Sequence, residues 1–168
     1  DCVLQAPTIR HRVLESSAGL EVIEIGSPAD HETHVDHHLE LPNPERNRDR
    51  EFGGQNFHRH QMKKQSWSLS KDAVFEQQDL GLSRPSRGLL RARVRRFGKD
   101  KWSWTASHEG DFYFFFILRG HMTLSLSEQK DQKLSTGDSC VIPPEQRFTM
   151  RRLSADIEFL ELAMPNHG

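Results

Sequence analysis

Several groups of side chains in this 168-residue chain have types and spacings that could do chemistry. The run Asp30-His31-Glu32-Thr33-His34-Val35-Asp36-His37-His38 is rich in imidazoles and carboxylates. On helical spacing His31, His34 and His38 would share one face and hold zinc adventitiously. No cysteine or bulky apolar residue nearby would close a structural site, so a solvated linker is the better reading. His58-x-His60 would place two rings on one side of a strand, the geometry of a ligand pair. Gln65, a residue that could complete such a set, offers an amide rather than a carboxylate. The basic run Arg84, Arg87, Arg91, Arg93, Arg95, Arg96, Lys99 and Lys101 precedes Trp102 and Trp104. Basic and aromatic residues together suit a nucleic-acid or phosphosugar surface. The plainer account, which we favour, is the solvated face of an outer strand, partly paired with the acidic stretch 30–51. Neither Cys2 nor Cys140 has a plausible His or Asp partner. Cys140, within Cys140-Val141-Ile142, reads as a small core residue. There is no phosphate loop, nucleophile elbow or dinucleotide fingerprint.

The elements that would position such groups are strands. In residues 1–28, Cys2–Gln5, Arg10–Glu15 and Leu20–Ile25 are rich in β-branched and aliphatic residues. Ala6-Pro7 and Ser16-Ser17-Ala18-Gly19 separate them as turns. Residues 29–66 are polar and His-rich, with Pro42, Pro44 and Gly53-Gly54 as breakers and no sustained period, which predicts a linker or long loop. From Trp67 the strand pattern returns. It covers Val74–Gln78, Gly88–Phe97, Phe112–Leu118, His121–Leu126, Ser139–Ile142, Arg147–Arg151 and Ile157–Met164. Gly110, Gly120, Gly137 and Pro143-Pro144 punctuate it. Many short strands without a convincing helix predict an all-β sandwich or jelly roll.

An internal repeat is the most informative feature. Shifted by 137 positions without a gap, residues 1–28 lie on residues 138–165. Asp1 meets Asp138, Pro7 meets Pro144, and Arg10 meets Arg147. Ser17-Ala18 meets Ser154-Ala155, and Glu24 meets Glu161. Most other pairs are apolar on apolar. The second copy ends a full set of strands, whereas the first holds only the last three, too few to close a barrel. With no methionine at position 1, this predicts a two-repeat protein lacking most of its first repeat.

The second repeat resembles the cupin superfamily, specifically its two-domain bicupins. The family's second motif, G-x5-P-x-G-x2-H-x3-N, is met at Gly137 and Pro143. It then departs at Glu145, Phe148 and Arg152. The first motif, G-x5-H-x-H-x3-4-E-x6-G, ends at Gly120. Counting back puts Tyr113 at the glutamate, His108 at the second histidine and Ala106 at the first. In the N-terminal copy, His11 falls on the second-motif histidine. The resemblance covers residues 67–165 and the 1–28 remnant. It implies a double-stranded β-helix barrel that in the family holds Fe, Mn, Ni or Zn. Here one of four ligand positions keeps a ligand, so no metal or other cofactor is expected in the second barrel. His11 would be a ligand only in a complete first repeat.

Alternation then describes the interior. If Tyr113 faces inward, so do Phe115 and Ile117, and Phe148 brings Met150 with it. The interior is either a packed apolar core or an apolar pocket. In the pocket reading His108 and Tyr113 are polar anchors, and Phe115, Phe148 and Met150 are walls. Leu90, Ala92 and Val94 form one face of their strand, and Arg91, Arg93 and Arg95 the other. Phe112–Leu118 is apolar on both faces, so its outer side needs cover. A homodimer, a sister repeat or the strands of residues 1–28 would supply it.

Composition bounds the rest. Net charge is −1, from 23 Lys+Arg against 24 Asp+Glu, so neither nucleic acid nor an anionic membrane is favoured globally. No apolar run approaches a membrane span and no signal-peptide layout is present. Two cysteines make no disulfide framework, which predicts a reducing cytoplasm. The expected domain plan is a first-repeat remnant at 1–28, a linker at 29–66, a barrel at 67–165 and a tail at 166–168. The expected function is non-catalytic: a regulatory or scaffold cupin that binds a small molecule. The alternative is a metal-dependent dioxygenase or sugar-type isomerase whose site lies in the missing first repeat.

Overall fold

The computed structural model describes residues 1–40, 42, 47, 49–127 and 129–165. The expected tail 166–168 and the breaker Pro44 lie outside the described residues. The strands are β1 (Cys2–Leu4), β2 (Glu51–Phe52), β3 (Gln55–Asn56), β4 (His58–His60), β5 (Ser68–Leu69), β6 (Phe75–Asp79) and β7 (Arg91–Phe97). They continue with β8 (Ser103–Ala106), β9 (Phe112–Arg119), β10 (His121–Leu126), β11 (Gln132–Ser135), β12 (Ser139–Val141), β13 (Phe148–Arg151) and β14 (Glu158–Met164). A single 3-10 turn, Met62–Lys64, is the one helical element among the described residues. None of their helices is long and apolar enough to cross a membrane. The all-β expectation therefore holds.

Two antiparallel sheets make the barrel. One has the order β12-β9-β14-β7-β6-β5 and the other β11-β10-β13-β8. Gly120 (φ 79°) turns β9 into β10, and Gly137 (φ 92°) turns β11 into β12. A side chain at either would strain a left-handed backbone. Phe75, Phe115, Ile117, Met122, Leu124, Phe148, Met150 and Phe159 are buried between the sheets. Their rings meet edge-on, as Phe115 does with Phe148 at 5.7 Å and Phe159 at 5.6 Å, the arrangement that aromatic quadrupoles favour.

Register settles which face of β7 points inward. Arg95 pairs with Phe159, Arg93 with Glu161 and Arg91 with Ala163. Those three β14 residues sit opposite Ile117, Phe115 and Tyr113 of β9. Paired residues share a face, so the arginines face the barrel interior. The expected solvated arginine face is thus corrected: Arg95 is buried. Ala92 and Val94 face the other way and are buried too, in a second cluster with Leu80 and Leu82. Alternation separates two faces without saying which is inner, and here both are covered.

The cover comes from outside the barrel. β1 pairs with β4, and Cys2, Leu4, Met62 and Trp67 pack on the second cluster beside Leu118 and Leu160. The expected linker 29–66 is therefore structured in its last part, through β2, β3, β4 and the 3-10 turn. Cover is incomplete over β9, where Phe112, Phe114 and Phe116 are only half-buried and neighbouring Val141 is exposed. Of the three strands expected in residues 1–28, only β1 forms. Arg10–Glu15 and Leu20–Ile25 run as exposed chain, because no strand among the described residues lies beside them.

Burial makes a direct prediction about stability. Met150→Ala opens a cavity at a fully buried site and should cost about 2–5 kcal/mol. Val13→Ala, at the repeat-equivalent but exposed position, should change stability by no more than about 0.5 kcal/mol. Urea denaturation followed by tryptophan fluorescence checks both.

Candidate functional site

A cleft of about 380 Å³ opens at the end of the barrel where β9 begins and β14 ends. Its lining includes His108, Tyr113, Ala163 and Met164, with Arg91 and Glu109 as the charged groups. Gly110 is part of it, and the close approach of the Met164 carbonyl leaves no room for a Cβ there. His108 follows β8 and Tyr113 lies on β9, so the barrel wall fixes both. Their rings pack with centroids 4.8 Å apart. They do not hydrogen-bond to each other. His108 Nε2 donates to the Ile142 carbonyl at 2.7 Å. In the neutral ring Nδ1 is then an acceptor. That atom is buried and has no partner.

Behind the cleft lies a buried charged group. Tyr113 donates its hydroxyl proton to Glu161 Oε2 at 2.7 Å. Arg95 Nη1 donates to the same oxygen at 2.5 Å. Arg93 Nη1 lies 3.9 Å from Glu161 Oε1, and its Nε is 3.4 Å from Asp79 Oδ2. The guanidinium of Arg95 also stands 4.8 Å over the Phe75 ring. Its Nε is buried without a partner, as is Gln77 Oε1 on the strand alongside. Burial, then the Glu161 charge, drives the Tyr113 phenol pKa far above its ordinary value. The phenol therefore stays protonated throughout the usual pH range.

The other sequence candidates fall in different places. Phe115, Phe148 and Met150 are not cleft walls; all three are fully buried in the core. They lie behind Tyr113, whose ring is 4.9 Å from Phe115 and 6.0 Å from Phe148. Ala106 pairs with Phe148 across β8 and β13, so the four motif positions do converge. His11 is far along the exposed N-terminal chain and donates Nδ1 to the Ile9 carbonyl. His31 donates to the Pro28 carbonyl, His34 pairs with Glu32, and no helix brings His31, His34 and His38 together. His58 and His60 do share a side of β4. His58 Nε2 is spent on the Leu80 carbonyl, and Gln65 offers only its backbone carbonyl, to Gln78. Among the described residues no cluster of three or more His, Cys, Asp or Glu is arranged to hold a metal ion.

The basic run is absorbed largely by its own sheet. Arg96 pairs with Glu76 and covers the Trp67 ring, and Arg87 reaches Glu51 in the acidic stretch. Cys140 is a partly buried thiol whose pKa is pushed up to about 11 by burial. Glu161 and Arg95 were missed as site residues. The available signal was a lone carboxylate within the apolar run Phe159-Leu160-Glu161-Leu162-Ala163, set against a strand of alternating arginines.

Residues 96–162 match the family model for the cupin domain. The fold is similar to that of KdgF from Halomonas sp., with a TM-score of 0.53 and 18% identity over 64% of this chain and 94% of that one. An RmlC-like cupin from Shewanella frigidimarina superposes with a TM-score of 0.52 and 15% identity, covering 66% of this chain and 93% of that one. The cupin domain of Schizosaccharomyces pombe Cnp3 gives 0.53 and 8% identity, covering 66% and 76%. At these identities the likeness is one of fold, and the barrel has the cupin fold. No curated protein matches the sequence.

Two outcomes are expected from this geometry. Glu161→Ala leaves the buried Arg95 uncompensated and should cost about 3–5 kcal/mol, read by chemical denaturation. At pH 8, Cys140 should react with iodoacetamide on the order of 100-fold more slowly in the folded chain than in urea, since only the thiolate attacks. Mass-resolved alkylation rates measure this.

Proposed function

We propose that this cupin-fold barrel is a non-catalytic, metal-independent binding module, and that its cleft takes a small polar molecule held by His108 and Tyr113. The observation that carries the reading is the state of the four positions where the family resemblance places metal ligands. Ala106 and Phe148 offer no donor atom. Tyr113 remains a neutral phenol committed to Glu161, and the Nε2 of His108 is committed to a backbone carbonyl. A single imidazole does not hold a first-row metal against water, so these residues do not fit one. What remains is suited to hydrogen bonding: a phenol oxygen with free lone pairs and an imidazole Nδ1 acceptor. Arg91 and Glu109 add opposite charges at the lining. A regulatory or scaffold role in a reducing cytoplasm fits two free cysteines with burial-raised thiols.

The second partner in this reading is another copy of the chain. Phe112, Phe114 and Phe116 are half-buried on the outer face, with Phe112 and Phe114 stacked at 6.1 Å, and Val141 lies exposed beside them. Burying the part of each ring that is still exposed is worth on the order of 0.5–1 kcal/mol, which favours a homodimer across this patch.

Chelation and dialysis should leave less than a tenth of an equivalent of Fe, Mn, Ni or Zn by elemental analysis. One retained equivalent that disappears in His108→Ala would overturn the metal-free site. Light scattering should give a dimer for the native chain and a monomer for Phe114→Glu. A native monomer at all concentrations would remove the homodimer from the reading.

A further inference from the structure

The charges around the cleft balance in its depth but not at its mouth. Arg91, Arg93 and Arg95 lie at alternate positions of β7 and share its inner face. Arg95 is held by Glu161, and Arg93 stands between Asp79 and Glu161. Two guanidiniums there meet two carboxylates, and the inner group closes on itself. Nearer the mouth the pattern stops. Arg91 pairs in register with Ala163, which offers a methyl group where Arg93 meets Glu161. Arg91 is exposed, lines the cleft and has no ion pair among the described residues.

The β9 side of the cleft carries the other unmatched charge. Glu109 lines it, is exposed, and likewise has no ion pair among the described residues. Its neighbours fix its place. His108 is tied to the barrel twice, by its ring to the Ile142 carbonyl at 2.7 Å and by its own carbonyl to the Glu145 amide at 2.7 Å. Gly110 lies against the Met164 carbonyl. Ala163 is the floor between the two sides, the register partner of Arg91 on β7 and of Tyr113 on β9. Adjacent strands lie about 4.8 Å apart, so β7 and β9 stand roughly 10 Å from each other across β14. A side chain as small as that of Ala163 leaves this span open.

Such a lining discriminates by charge. A simple anion gains Arg91 but faces Glu109, and a simple cation gains Glu109 but faces Arg91. A neutral molecule strips water from both charges and replaces it with neither counterion. A ligand with one charge of each sign offsets both, and the planar guanidinium fork matches a carboxylate with two parallel hydrogen bonds. The volume of about 380 Å³ is near the lower end of small-molecule sites, which suits a short ligand. We propose, resting on the small-molecule reading of this cleft, that it binds a small zwitterion of the amino-acid class. The carboxylate lies on Arg91, the ammonium on Glu109 and the aliphatic part over Ala163 and Met164.

Amide chemical-shift titration of the isotope-labelled chain with matched probes tests the assignment. Norvaline and δ-aminovalerate carry both charges, valerate only the negative one and pentylamine only the positive one. The better zwitterion should shift the Glu109, Gly110 and Tyr113 amides with a Kd at least about tenfold below those of valerate and pentylamine. Arg91→Gln should erase its advantage over pentylamine, and Glu109→Gln its advantage over valerate. Both positions are exposed, so the fold is kept. Valerate or pentylamine binding as tightly as the zwitterion overturns the proposal and leaves a small-molecule cleft of another selectivity. Zwitterion binding that neither substitution weakens overturns it as well. If neither zwitterion shifts these amides the proposal fails, and if a neutral polyol such as threitol is also silent, the small-molecule reading fails with it.

Discussion

A carboxylate inside the barrel is the constraint from which much of the arrangement follows. Glu161 sits in β14, a strand with neighbours on both sides, and its side chain is turned away from water. An unpaired charge there would cost several kcal/mol, so both neighbouring strands must supply partners. β9 gives the Tyr113 hydroxyl, and β7 gives Arg95 and, at longer range, Arg93. Turning those arginines inward forces the alternate residues of β7 outward, and these are Ala92 and Val94. An apolar outer face then needs its own cover. β1, β4, Met62 and Trp67 provide it, which is why residues far from the barrel in sequence are built onto its back. The carboxylate and the outer layer are linked through the pleat of one strand.

That linkage marks where reading the sequence succeeds and where it stops. Phe112–Leu118, apolar on both faces, announces a strand covered from two sides, and β9 is buried on its inner face and half-buried on its outer one. Gly120, Gly137 and Pro143 place the turns because a left-handed backbone or a fixed φ leaves little choice. The strands expected at His121–Leu126 and Ile157–Met164 correspond closely to β10 and β14. Inward and outward on β7 were not legible. Arginines are assigned to solvent by default, and the countercharge that reverses this lies 66 residues away, on a strand that becomes a neighbour only through topology. β8 was missed for a related reason. Ser103-Trp104-Thr105-Ala106 has the alternation of a strand, but it is short and follows a run of charge.

The N-terminal segment shows the opposite limit. Its sequence has strand propensity throughout, yet only Cys2–Leu4 forms a strand, and it is the piece that finds an edge to pair with in β4. Propensity is not sufficient where hydrogen-bonding neighbours are lacking. What survives without neighbours is the turn geometry at Thr8 and at Ser17–Leu20, since local sequence sets it.

The same carboxylate bears on the cleft. Tyr113 connects the two regions: its hydroxyl points to Glu161 and its ring packs against His108. That hydroxyl is donated inward, and burial with a neighbouring negative charge keeps it from becoming a phenolate. A divalent cation brought to this position would find no anionic oxygen on Tyr113. Arg95 and, at longer range, Arg93 supply the positive charge beside that carboxylate. The polar groups beside the cleft are the His108 imidazole and the protonated Tyr113 phenol, side chains of the kind that orient a hydroxyl or an amide.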